Sequence, residues 1–122
     1  MMEKDLAEFL QDSFGSVWSL EILLVLHRQP ERVWTAEDLI TELRSSQVVV
    51  QQGIDNLLAA GLIVAEDGGA VRYGPASAGQ DALVRRLEDA YRVKPAAVRR
   101  LIIQSPAEKL RTFADAFKIV KD

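Results

Sequence analysis

Ser45 to Pro75 reads SSQVVVQQGIDNLLAAGLIVAEDGGAVRYGP, and the parsing of this stretch decides the fold. Between Ser46 and Leu58 the apolar residues Val50, Ile54, Leu57 and Leu58 recur at three- and four-residue spacing, which sets them on one side of a helix. Gly61 stops that helix, because glycine takes the left-handed conformation without a Cβ penalty. Leu62, Ile63 and Val64 then read as a strand, Gly68-Gly69 as a tight turn, and Ala70 to Tyr73 as the returning strand. With Val50 and Ile54 inward, a rotation of about 100° per residue puts Val48, Gln51, Gln52 and Asp55 outward and Gln47 at the border. Gly53 falls on the inner side, where a missing side chain lets the preceding helix approach closely.

The segments before it extend the pattern. Val17 to His27 is strongly apolar, with Leu20, Leu23, Leu24 and Leu26 near buried-helix spacing, and Pro30 marks the break after it. Val33-Trp34 is long enough for one strand to lie against the hairpin. Thr35 with Asp38 three residues on is an acidic variant of the capping box. It opens a short helix with Leu39, Ile40 and Leu43 inward, and Arg44-Ser45-Ser46 is the turn into the next helix.

This order resembles the winged helix-turn-helix family of bacterial transcription regulators, with the MarR-like branch closest in layout. The resemblance covers Val17 to Ala76 and rests most on Ser46, Val50, Ile54, Leu57 and Gly61-Leu62-Ile63 followed by the hairpin. It implies a mostly α fold in which residues 16–76 are the winged core, with a recognition helix over about 46–60 and a wing over about 62–75. It also implies double-stranded DNA as the partner, bound by a homodimer whose interface comes from the flanking helices.

Four further helices are expected outside that core. Asp5 to Phe14 carries Leu6, Phe9 and Leu10 on one side. Ser77 caps a helix to about Arg92 with Leu83, Val84, Leu87 and Tyr91 inward. Pro95 begins the next, through Val98, Leu101 and Ile102. A last helix opens at the capping box Ser105-Pro106-Ala107-Glu108, with Leu110, Phe113, Ala114 and Phe117 as its stripe. Residues 77–122 thus form a helical extension of one 1–122 domain.

Composition narrows the function classes. At 122 residues and 48% hydrophobic content the chain suffices for a single core. Cysteine is absent, which excludes disulfides and thiolate metal sites and suits a reducing cytoplasm. With one histidine and no phosphate-binding glycine loop, neither catalysis nor a metal or cofactor is expected. No apolar run approaches the ~20 residues needed to cross a bilayer. Trp18 and Trp34 read as core aromatics, and His27 as a helix-end residue without a functional role.

Charge is unevenly spread. Residues 31–76 hold Arg32, Arg44 and Arg72 against seven acids, giving −4, whereas residues 77–122 hold ten basic and six acidic groups, giving +4. Phosphate contacts by Lys and Arg supply most non-specific DNA affinity, so the winged segment offers few. Candidate DNA contacts are Arg44 and Arg72 to phosphate, with Ser46, Gln47, Val48, Gln51 and Gln52 on the helix. Gln pairs with adenine, and a Val side chain can touch the thymine methyl. The hairpin tip, Glu66-Asp67, is acidic. A second reading follows: a winged protein-interaction module without DNA affinity, whose basic cluster Arg85, Arg86, Arg99 and Arg100 docks on an acidic partner.

Overall fold

The computed structural model describes residues 4–103, which form six helices and one two-stranded antiparallel sheet. The expected helix from Ser105 lies outside the described residues. α1 (Lys4–Ser13) buries Leu6, Phe9 and Leu10. α2 (Val17–Arg28) is capped by the Ser16 hydroxyl, which accepts from the Ser19 N–H at 3.2 Å. Buried residues nearly encircle α2, namely Ser19, Leu20, Ile22, Leu23, Leu24 and Leu26, as an all-round apolar helix requires. Trp18 departs from expectation. It sits on a side of α2 that the described residues leave open and is 41% exposed.

α3 (Ala36–Leu43) opens with both halves of the capping box: Asp38 N–H to Thr35 Oγ1 at 3.0 Å and Thr35 N–H to Asp38 Oδ2 at 3.1 Å. α4 (Gln47–Ala59) starts at Ser46, whose hydroxyl accepts from the Val49 N–H at 3.2 Å. Its inner side carries Val50, Gly53, Ile54 and Leu57, all buried. Leu58, expected inward, is exposed, lying at the edge of the buried stripe where the described residues leave it open. Gly53 is inward as its spacing predicts, but the helix it admits is α2 and not α3: a Cβ there would overlap Ile22 Cδ1 and lie 3.7 Å from Ser19 Cα. α2 and α4 form the most extensive contact between helices.

Gly61 ends α4 with φ 75°. Its N–H donates to Leu58 O at 3.1 Å while the Leu62 N–H reaches Leu57 O at 3.1 Å, the paired bonds of a Schellman stop. β1 (Ile63–Ala65) and β2 (Val71–Tyr73) pair antiparallel in the register Ile63↔Tyr73, Val64↔Arg72, Ala65↔Val71. Both strands start one residue later than the sequence suggests, so that β1 is shifted on to Ala65 and β2 is shorter by Ala70, and the reversal takes three residues, Asp67–Gly69, with positive φ at Gly68 and Gly69. The expected strand at Val33-Trp34 shrinks to one bridge, in which Trp34 and Val71 exchange backbone hydrogen bonds at 2.7 and 2.8 Å.

α5 (Ala78–Val93) is capped by Ser77, and α6 (Pro95–Ile103) starts at proline. Val84 and Leu87 of α5 and Val98 and Ile102 of α6 join the same buried cluster as α1, α2, α4 and the hairpin, with Leu39 from α3.

Candidate functional site

The outward side of α4 holds most of the residues singled out from sequence. Ser46, Gln47, Val48, Gln51 and Gln52 are all exposed along its first two turns, and Val48 is 66% exposed. Their freedom differs. The Ser46 hydroxyl is spent on the cap, and Gln51 Nε2 donates to Asp55 Oδ1 one turn on at 3.0 Å. Among the described residues, Gln47, Val48 and Gln52 have side chains with no such partner.

The cations around this face fare unequally. Arg72 donates through Nε to Glu66 across the hairpin, and its NH1 reaches the Tyr73 carbonyl at 3.4 Å. Arg32 lies 3.5 Å over the Trp34 ring and 3.9 Å from Asp38. Arg44 is exposed at the α3–α4 turn, without a side-chain partner among the described residues. It takes φ 52°, ψ 46°, the left-handed conformation that a non-glycine residue rarely adopts. There its N–H caps the α3 carbonyls of Ile40 and Thr41.

The basic cluster of the last two helices is not one open patch. Arg85 pairs with Asp81 one turn back, and Arg99 donates to the Tyr91 hydroxyl at 3.1 Å. Arg86 is half-buried, and Arg100 is exposed.

Two polar joints were not anticipated. Asn56, on the inner margin of α4, grips the α1–α2 connection. Its Oδ1 accepts from the Gly15 N–H at 2.8 Å and from the Ser19 hydroxyl at 2.6 Å, while Nδ2 donates to the Ser13 carbonyl at 2.9 Å. The partners lie 37 to 43 residues away, so no local pattern announces them. The second joint ties α2 and β2 to α5. His27 Nδ1 lies 2.8 Å from Glu88 Oε2, Arg28 Nε donates to Glu88 Oε1 at 3.1 Å, and the Tyr73 hydroxyl donates to Asp81 Oδ1 at 2.6 Å. The His27 and Tyr73 rings meet edge to face at 4.9 Å. The Tyr73 hydroxyl, seconded by Arg85, holds the Asp81 carboxyl below the usual carboxylate range. Burial, and then the bond to Asp81, pushes the Tyr73 phenol well above its ordinary value. Burial, and then a bond to Glu21, likewise raises Tyr91.

Among the described residues no group of three or more His, Asp or Glu side chains could hold a metal ion, and no single helix is long and apolar enough to cross a membrane. The residues singled out from the sequence thus lie mostly on one open face of α4. Compared with known proteins, the chain matches no family model, no curated protein and no solved structure.

Proposed function

We propose that residues 16–76 form a winged helix-turn-helix unit and that the protein is a DNA-binding transcription regulator, with α4 as recognition helix and the β1–β2 hairpin as wing. One observation carries this reading. α4 seals Val50, Gly53, Ile54 and Leu57 against the core while its first two turns present Gln47, Val48, Gln51 and Gln52 to solvent. A helix so mounted fits the major groove, where a Gln amide pairs with adenine and Val48 can meet a thymine methyl. Arg44, at the start of that helix, is positioned as a phosphate contact. Acting as a homodimer, two such helices would read half-sites about 34 Å apart.

A second reading has its own support. Arg72 is neutralised by Glu66, Gln51 is held by Asp55, and the tip carries Glu66 and Asp67. Such a surface suits a winged module that docks on a protein, with the basic cluster Arg85, Arg86, Arg99 and Arg100 meeting an acidic partner once Arg85 and Arg99 leave Asp81 and the Tyr91 hydroxyl.

An electrophoretic shift with random duplex DNA at low salt separates the two. The DNA reading expects a shift that weakens only gradually with salt, since few cations displace counterions at about −0.9 log units per phosphate contact. Arg44→Ala then weakens every sequence alike, and Gln52→Ala alters sequence preference. No shift at low salt sinks the DNA reading.

A further inference from the structure

We infer that the α5–α6 corner of one copy docks in the groove between α2 and α3 of a second copy, and that the two copies exchange this contact about a two-fold axis. The inference rests on the homodimer of the DNA-binding reading and names the surfaces that form it. Val17, Trp18 and Glu21 of α2 line the groove with Glu42 and Leu43 of α3. Trp18 is 41% exposed in it, and tryptophan is among the residues that most often anchor a protein interface. Glu42 is exposed without a side-chain partner among the described residues. Glu21 is half-buried and accepts from the Tyr91 hydroxyl. The groove is thus an aromatic and aliphatic floor flanked by two carboxylates.

The corner is its complement. Val93 ends α5 and is 69% exposed, and Arg92 and Lys94 on either side of it are exposed as well. Arg92 shares its charge with Asp89 at 3.1 Å, whereas the Lys94 ammonium has no partner among the described residues. The Lys94 N–H caps α5 by donating to Ala90 O at 2.7 Å, and Pro95 starts α6 at once. The corner is therefore an apolar knob held between two cations. Opposite charges around an apolar contact speed encounter and fix its register.

Position decides that the occupant is a second copy. The Tyr91 hydroxyl donates to Glu21 in the groove wall, and Arg99 Nε reaches the same hydroxyl at 3.1 Å. Knob and groove consequently lie side by side on the molecule. Two copies set face to face can each place the corner in the other's groove, which is the reciprocal contact of a closed two-fold pair. An unrelated basic protein would fill the groove and leave Val93 and Lys94 open. Neither surface includes Gln47, Val48 or Gln52, so DNA recognition draws on other residues.

Sedimentation equilibrium of the full chain, without DNA, tests the proposal. A monomer–dimer equilibrium that weakens with salt is expected. Trp18 emission should shift to the blue as the dimer forms, and Trp18→Phe should abolish that shift, since Trp34 is buried. Glu42→Lys and Lys94→Glu should each raise the dimer Kd about tenfold, because a two-fold axis presents each change twice. Combined in one chain, the two changes should restore association. A chain that stays monomeric overturns the proposal, and so does Trp18 emission that is independent of concentration. A dimer indifferent to both single changes overturns this surface while leaving a homodimer standing, and a gel shift with random duplex DNA on the same variants tests DNA binding separately. Far-UV circular dichroism checks that each variant folds. Should either not, Val93→Asp takes its place, and an unchanged Kd there overturns the proposal equally.

Discussion

The two sides of α4 differ in what constrains them. Toward the core, Val50, Gly53, Ile54 and Leu57 are buried against α2 and its neighbours, and Gly53 leaves little room for a side chain beside Ile22. Toward solvent, the exposed Gln47, Val48 and Gln52 side chains make no hydrogen bond or ion pair among the described residues. Substitution on the first side should therefore report on stability, and on the second only on binding.

Gly53→Leu should break the packed side most severely. Its side chain has to displace Ile22 at the α2–α4 contact, and overpacking of this kind costs about 1–3 kcal/mol, with this site near the upper end. Urea unfolding at constant m-value is the check. A melting midpoint equal to that of the unaltered chain would mean that the α2–α4 distance is wrong. Gly53→Ala should cost much less, because Ile22 Cδ1 is the mobile end of a side chain and alanine gains helix propensity.

Asn56→Ala comes next. It leaves the Gly15 N–H, the Ser19 hydroxyl and the Ser13 carbonyl without their partner, a loss of about 2 kcal/mol. Calorimetry should show the drop, and hydrogen exchange should show earlier opening of the α1–α2 connection.

Asp81 sharpens the comparison by pH. Its folded carboxyl titrates below the unfolded one, so its contribution is present above the unfolded pKa and is lost as pH falls through the folded value. Asp81→Asn should flatten the acid limb of the stability profile and leave the neutral region's slope unchanged. Tyr73 has the opposite sign: its raised phenol favours the fold below about pH 10, and that advantage fades as pH rises beyond the unfolded value.

The smallest effect belongs to the open side of α4. Gln47→Ala, Val48→Ala and Gln52→Ala should each shift stability by no more than about 0.5 kcal/mol. In the DNA reading the same three changes alter operator preference. A large stability loss from any of them would show that the open side is packed after all.

This division also explains what could be read from the chain alone. Gly53's inward phase, the Thr35–Asp38 box, the Gly61 stop and the Pro95 start all follow from residues within one or two turns of each other. The sequence misplaced Leu58 and Trp18 because spacing gives the direction of a stripe but not its width, which neighbouring elements set. The Asn56 grip and the His27–Glu88 and Tyr73–Asp81 contacts join distant segments, or a strand to a helix, and no periodicity encodes them. Of the candidate DNA contacts, exposure was legible; the pairing that occupies Arg72 and Gln51 was not.

The Asn56 grip has a mechanical consequence. A slide of α4 along its axis by one residue is a displacement of about 1.5 Å. It would pull one carboxamide away from three partners at once. α4 is thus held in axial register, like a ruler clamped at one mark. Whatever lies against its open side meets a backbone that does not shift to accommodate it, and adjustment is left to side-chain rotamers and to the incoming surface.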